Sequence, residues 1–188
     1  MQLETFADNL IFPEGSRWKD NKLICSDIFS NEVISFTEAG NKETVVKIDG
    51  LPVGLGWNKN DDLLINSLQD KKVLVYDGKS TKEYADIGVH ENNFINDMTT
   101  DSSGRAYVGT VALESFNENI PIAPDNMPTF SSIMLVDVDG SVRRVADRMT
   151  FTNGMAISPD GKKLVVAETF AYRLSIFDIK SNGDLDNR

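Results

Sequence analysis

An all-β fold of the β-propeller class follows from three features of this 188-residue sequence. Short runs of alternating and β-branched residues recur along the chain, four to a unit. Each unit opens with a strand that runs into a turn built from Asn, Asp or Gly. The turn landmarks Asn21, Asp62, Gly104 and Gly161 stand 41, 42 and 57 positions apart. Four short strands at a period of about 40 residues are the signature of propeller blades. Helical periodicity is weak, and no long helix is expected.

The first unit is expected to run from Pro13–Trp18 through a Lys19-Asp20-Asn21 turn to strands at Leu23–Ile28, Glu32–Phe36 and Glu43–Ile48. The second opens at Val53–Trp57, turns at Asn58–Asp62, and continues as Leu63–Ser67, Lys72–Tyr76 and Lys82–Ala85. The third opens at Asn96–Thr100, turns at Asp101–Gly104, and continues as Arg105–Thr110, Ser132–Asp137 and Ser141–Ala146. The fourth is Phe151–Ile157, a Pro159-Asp160-Gly161 turn, Lys162–Thr169 and Arg173–Asp178, and Lys180–Arg188 reads as the point where the chain stops. Residues 1–188 are read as one partial propeller domain. The long third gap is an insertion over residues 114–131, whose Pro121, Pro124 and Pro128 exclude a central strand. It is a candidate lid over one end of the ring. A passive surface loop is the plainer alternative.

Composition narrows the function classes. A net charge of −10 argues against nucleic-acid or anionic-membrane partners, which require a basic patch. No apolar run approaches the ~20 residues that span a bilayer. Cys25 is the only cysteine, so no intrachain disulfide forms, and the first residues carry no signal-peptide pattern; a cytoplasmic location is expected.

In a propeller, equivalent positions of successive blades ring a central channel. The residue four before the end of each inner strand is Glu14, Val53, Asn96 and Asn153 in turn. Three of the four carry oxygen ligands. One carboxylate and two amides suit a hard divalent cation, Ca2+ first, with Mg2+, Mn2+ or Zn2+ as alternatives. His90 and Cys25 are single, which speaks against a dedicated zinc cage. The competing structural reading is that Asn96 and Asn153 merely cap the starts of their strands.

Pro13-Glu14-Gly15-Ser16-Arg17-Trp18, Ser26-Asp27-Ile28, Gly54-Leu55-Gly56-Trp57, Asn96-Asp97-Met98, Gly104–Gly109 and Asn153-Gly154-Met155-Ala156 through Ala167-Glu168-Thr169-Phe170 together resemble the senescence marker protein/gluconolactonase family. The resemblance covers nearly the whole chain. It implies a six-bladed β-propeller, of which about four blades are present, with a divalent cation in the axial channel and hydrolysis of sugar lactones or related esters. It implies further that Glu14 and Asn153 are metal ligands and that Asn96 binds metal or substrate. The family's remaining ligand, an aspartate also assigned as general base, lies in a Pro-Asp-Gly motif on the next blade, beyond Arg188. Asp160 sits in such a motif on a hairpin turn at the far end of its strand and is no substitute. Phe94 stands where sugar lactonases carry an arginine, which leaves room for a less polar lactone.

Other residues are read more plainly. Asp97 is expected to point away from Asn96 by strand alternation and to buttress it. Glu114 opens the insertion within reach of a substrate. Asp27 and Glu168 are expected to hydrogen-bond from blade to blade, His90 to be a solvated loop residue, and Trp18 and Trp57 to be core. The leading expectation is a metal-dependent lactonase acting on a small lactone or ester. The alternatives are a calcium-binding or interaction propeller without turnover, and a fragment completed by further blades. Exposed blade edges predict self-association.

Overall fold

The structure, a computed structural model, describes residues 4–112 and 131–188. These residues form four four-stranded antiparallel sheets. The first blade comprises β1 (Pro13–Lys19), β2 (Lys22–Asp27), β3 (Glu32–Thr37) and β4 (Lys42–Lys47). The second comprises β5 (Pro52–Trp57), β6 (Leu63–Ser67), β7 (Lys72–Tyr76) and β8 (Thr81–Asp86). The third comprises β9 (Phe94–Thr100), β10 (Ala106–Val111), β11 (Ser131–Val136) and β12 (Val142–Met149). The fourth comprises β13 (Thr152–Ile157), β14 (Lys163–Glu168), β15 (Arg173–Ile179) and β16 (Leu185–Asp186). In every blade the strands lie in sequence order, and the inner strands β1, β5, β9 and β13 pack side by side. No helix among the described residues is long and apolar enough to cross a membrane.

The hairpins follow from local chemistry. Asp101 Oδ1 accepts the amides of Ser103 and Arg105 at 2.8 and 3.0 Å, and Asn58 Oδ1 accepts those of Asn60 and Asp62 at 2.9 and 3.0 Å. Asp77, Asp139 and Asp160 close turns in the same way. A short side-chain acceptor two residues ahead of the amide it takes is what allows a reversal without strand pairing.

The core lies between consecutive sheets, not at one centre. Val33, Ile24 and Val46 of the first blade meet Leu63, Ile65, Leu74 and Trp57 of the second. Leu64, Val73 and Ile87 meet Met98, Val108, Met134 and Val136 of the third. Tyr107, Ile133 and Leu135 in turn meet Leu164, Val166 and Phe177 of the fourth. Sheets buried on both faces account for the near-continuous apolar runs of β6, β10 and β11. The N-terminal segment lies over the far side of the first blade. Ala7 and Leu10 pack on Cys25, Ile34 and Phe36, and the Phe6 ring meets Phe36 edge-on at 6.0 Å.

One tie recurs where the second strand ends. The next amide reaches back to the carbonyl that precedes the inner strand, as Ile28 to Phe12 at 3.0 Å, Leu68 to Leu51 at 3.0 Å and Thr169 to Phe151 at 3.1 Å. Buried side chains reinforce it. Asp27 accepts the amides of Ile11 and Phe12 and the Ser30 hydroxyl. Glu168 accepts the Thr150 amide at 2.8 Å, Arg173 at 2.9 Å, Arg188 at 2.6 Å and the Ser175 hydroxyl. The second blade uses the same pair in reverse order, Ser67 donating to Asp70 at 2.7 Å.

Several expectations are corrected. Asp27 and Glu168 do not bond from blade to blade; each closes the segment leading into its own blade, because that is where the unpaired amides lie. Trp18 is not core: it is 58% exposed, whereas the equivalent Trp57 packs on the first blade. Both face the preceding blade, and among the described residues none precedes the first. The tail after Lys180 is not simply an ending. Leu185 and Asp186 pair with Ile179 and Asp178 and complete the fourth blade. Ser131, placed in the insertion, opens β11. The rest of the candidate lid, with Glu114, lies outside the described residues.

Candidate functional site

A β-bulge marks each inner strand at the same level. Ladder pairing shifts register between Glu14 and Arg17 in β1 and between Pro52 and Leu55 in β5. It shifts again between Ile95 and Met98 in β9 and between Thr152 and Met155 in β13. Val53, Asn96 and Asn153 lie in the bulges themselves, and Glu14, paired in register with Ser26, immediately precedes the bulge of β1. A bulge places two residues opposite one and re-aims their side chains, which is how a regular sheet points functional groups along a channel.

The inner strands touch closely here. A Cβ on Gly15 would lie 2.4 Å from the Val53 carbonyl oxygen, and one on Gly54 would lie 2.5 Å from the Met98 amide. Second-strand side chains fix the same carbonyls, Ser26 Oγ donating to Val53 O at 2.7 Å and Asn66 Nδ2 to Asn96 O at 2.6 Å. Asn66 Oδ1 is buried without a protein partner among the described residues, a position that ordered water serves in folded proteins.

The structure brings Asn96 and Asn153 together. Asn96 Nδ2 donates to Thr152 O at 3.0 Å and faces Asn153 Oδ1 at 3.5 Å, while Asn153 Nδ2 donates to Thr169 Oγ1 at 3.0 Å. The Asn96 NH2 thus bonds Thr152 O and, at longer range, Asn153 Oδ1, which leaves Asn96 Oδ1 and the second lone pair of Asn153 Oδ1 to face a ligand. Neither side chain caps the start of its own strand, as the plainer reading had it. Glu14 is half-buried and takes no salt bridge among the described residues. Burial pushes its carboxyl above the ordinary range, the nearby Asp97 carboxylate adds to the rise, and the Gly15 amide opposes both. The Glu14 and Asp97 carboxylates are therefore close enough to feel each other.

Asp97 differs from its expectation in one respect. Alternation fails at a bulge, and Asp97 turns towards the first blade, where Arg17 Nη2 meets its Oδ1 at 2.8 Å. The same guanidinium donates to the Met98 carbonyl and, through Nε, to Leu55 O at 3.1 Å. Arg17 therefore ties β1, β5 and β9 together. Burial raises the Asp97 carboxyl more than Arg17 and the Met98 amide lower it. Sequence reasoning gave Arg17 and Asn66 no role. The available signals were an arginine in an inner strand and one amide in the apolar run Leu63–Ile65.

Phe94 begins β9, and the Lys71 ammonium lies 5.7 Å above its ring. A groove of about 440 Å³ lined by Lys19, Lys22, Trp57, Asp61 and Tyr76 lies between the first two blades, and none of the ring residues lines it. No group of three His, Cys, Asp or Glu side chains that could hold a metal occurs among the described residues.

Four antiparallel blades with an oxygen-bearing ring on their inner strands define a β-propeller. A family model described as SMP-30/Gluconolactonase/LRE-like region matches residues 12–188, and the chain belongs to that family. It is 25% identical to chicken (Gallus gallus) regucalcin over 187 residues, which is 97% of this chain and 60% of regucalcin. Among solved structures it superposes on a gluconolactonase from Xanthomonas campestris with a TM-score of 0.78 at 18% identity, over 97% of this chain and 63% of that one. It matches a calcium-binding protein, regucalcin, from Agrobacterium tumefaciens with a TM-score of 0.75 at 19% identity, over 95% and 58%. The chain thus spans about 60% of the length of the regucalcin it matches.

Proposed function

We propose that this chain carries part of the active site of a divalent-cation-dependent lactone hydrolase. The observation behind the proposal is the meeting of Asn96 and Asn153 at the bulges of neighbouring inner strands, with Glu14 at the repeat-equivalent position of the first blade. The donor set fits a hard cation. It offers one carboxylate and two amide oxygens, and it leaves room for water or further ligands in a shell of six to eight. Ca2+ is the first choice, and Glu14 and Asn153 are its holders. A bound cation there supplies Lewis-acid polarisation of a lactone carbonyl. Asn96 orients the substrate beside it through its amide oxygen, held by the bond from Nδ2 to Thr152 O. Thr169 fixes the Asn153 amide, and Arg17 keeps Asp97 against the inner strands. Glu114 is assigned to the substrate side and the insertion to a lid. Phe94, with Lys71 over its ring, favours a less polar acyl or alkyl portion over an aldonolactone.

A second reading, a calcium-binding propeller without turnover, draws on one observation. Among the described residues no carboxylate is placed to activate water, since Glu14 is assigned to the cation and Asp97 is engaged by Arg17. Calorimetric titration with Ca2+, together with pH-stat hydrolysis of a lactone panel with and without chelator, separates the two. Asn153→Ala is expected to lower Ca2+ affinity at least tenfold with the fold intact by circular dichroism. Full Ca2+ affinity in that variant sinks the assignment. Binding without chelator-sensitive hydrolysis favours the second reading.

A further inference from the structure

At the junctions between consecutive blades the same two positions meet. One is the residue just before Glu14, Val53, Asn96 and Asn153 on the inner strand, namely Pro13, Pro52, Ile95 and Thr152. The ladder partners of these residues on the second strand are Asp27, Ser67, Thr110 and Glu168. The other position is the residue before each partner, namely Ser26, Asn66, Gly109 and Ala167. At the first two junctions the second strand reaches forward. Ser26 Oγ donates to Val53 O at 2.7 Å, and Asn66 Nδ2 donates to Asn96 O at 2.6 Å. At the third junction the direction reverses. Gly109 has no side chain to send, and Thr152, the only hydroxyl in its set, donates back to Thr110 O at 2.6 Å from a fully buried position. A Cβ on Gly109 would lie 2.6 Å from Thr152 Oγ1 and 3.0 Å from its Cβ, so the glycine is the seat into which Thr152 fits.

The reversal falls at the junction that joins Asn96 to Asn153. An asparagine amide can turn either its oxygen or its NH2 to a ligand, and only the oxygen serves a cation. The Thr152 carbonyl makes that choice for Asn96 by taking its Nδ2 at 3.0 Å. We propose that Thr152 is a positioning residue of this site. Its hydroxyl anchors the start of β13 on the third blade, so that its carbonyl keeps the Asn96 oxygen turned to the ligand with Asn153 beside it. The proposal rests on the reading of Asn96 and Asn153 as ligand-facing amides, and it adds a residue that touches neither cation nor substrate.

Two readouts on the whole chain test it: solvent exchange of the Asn96 side-chain NH2, followed by nitrogen-15 NMR without ligand, and calorimetric titration with Ca2+. Thr152→Val keeps the β-branched shape and removes the hydroxyl. It is expected to speed Asn96 exchange roughly tenfold and to weaken Ca2+ binding about threefold or more. Should that variant not fold, Thr152→Ala and Thr152→Ser form a second pair that differs only in the hydroxyl, and only Thr152→Ser is expected to behave as the wild type does. Thr110→Val removes a neighbouring buried hydroxyl that accepts the Ser132 amide at 2.8 Å. It is expected to lower the melting temperature and to leave both readouts unchanged. Asn96 exchange that ignores the loss of the Thr152 hydroxyl overturns the proposal. So does a Thr152→Ser variant as defective as Thr152→Ala, or a Thr110→Val variant that moves the same readouts. A wild type that binds no Ca2+ counts against the cation reading of the site, and Asn96 exchange then decides the role of Thr152 alone.

Discussion

Arg17 is the side chain on which three inner strands depend. Its partners Leu55, Asp97 and Met98 belong to two other strands, and Asp97 has little water to fall back on. Removing one member of a buried pair leaves the other charge uncompensated, so Arg17→Met is expected to cost about 3 kcal/mol in urea unfolding. Arg17→Met/Asp97→Asn is expected to recover part of that loss, which a double-mutant cycle reads directly. Glu168 shows the opposite electrostatics. Burial opposes its charge, but Arg173, Ser175, Thr150 and Arg188 outweigh it and hold the carboxyl at about 2. A folded value below the unfolded one contributes stability that is complete above about pH 4.5 and is lost as pH falls towards 2. Glu168→Gln is expected to cost on the order of 3 kcal/mol at neutral pH, the gap from wild type closing across that window. An equal gap at pH 3 and pH 7 would contradict this.

Among the elements, the inner-strand bulge carries the most consequence and was the least legible. The strands themselves were readable from alternation and Asx turns, and most bounds agree with the structure to within a residue or two. A bulge exists only in the pairing of two strands, so no residue of β9 announces it, and alternation misplaced Asp97 for that reason. The site level was legible because the repeat aligned Glu14, Val53, Asn96 and Asn153 without any knowledge of the bulge. Arg17 and Asp97 are 80 residues apart, beyond any local signal. The strand β16 was missed because Leu185–Asp186 sits among Gly, Asn and Asp, and pairing with β15 overrides that composition. The bulge also makes a paired prediction. Gly54→Ala is expected to destabilise by about 3 kcal/mol or more, since the new methyl meets backbone that cannot move aside. Gly154→Ala is expected to be close to neutral by the same unfolding measurement.

For the whole molecule, the chain is a propeller of its family, and the proposed activity draws on residues at one level of the inner strands. Shared architecture alone hosts many functions, so the cation and substrate assignments stand on Asn96, Asn153 and Glu14 and on their tests. The exposure of Trp18 was invisible in the sequence because it depends on what lies beside the first blade. The covering of that blade by residues 4–12 also has a kinetic meaning. Residues 4–12 come before the sheet they cover, so Cys25, Ile34 and Phe36 find their cover within the same stretch of chain, while Trp18 on that side stays exposed. Contacts between segments so near in sequence close over short loops, so this side of the first sheet can form without waiting for a later blade.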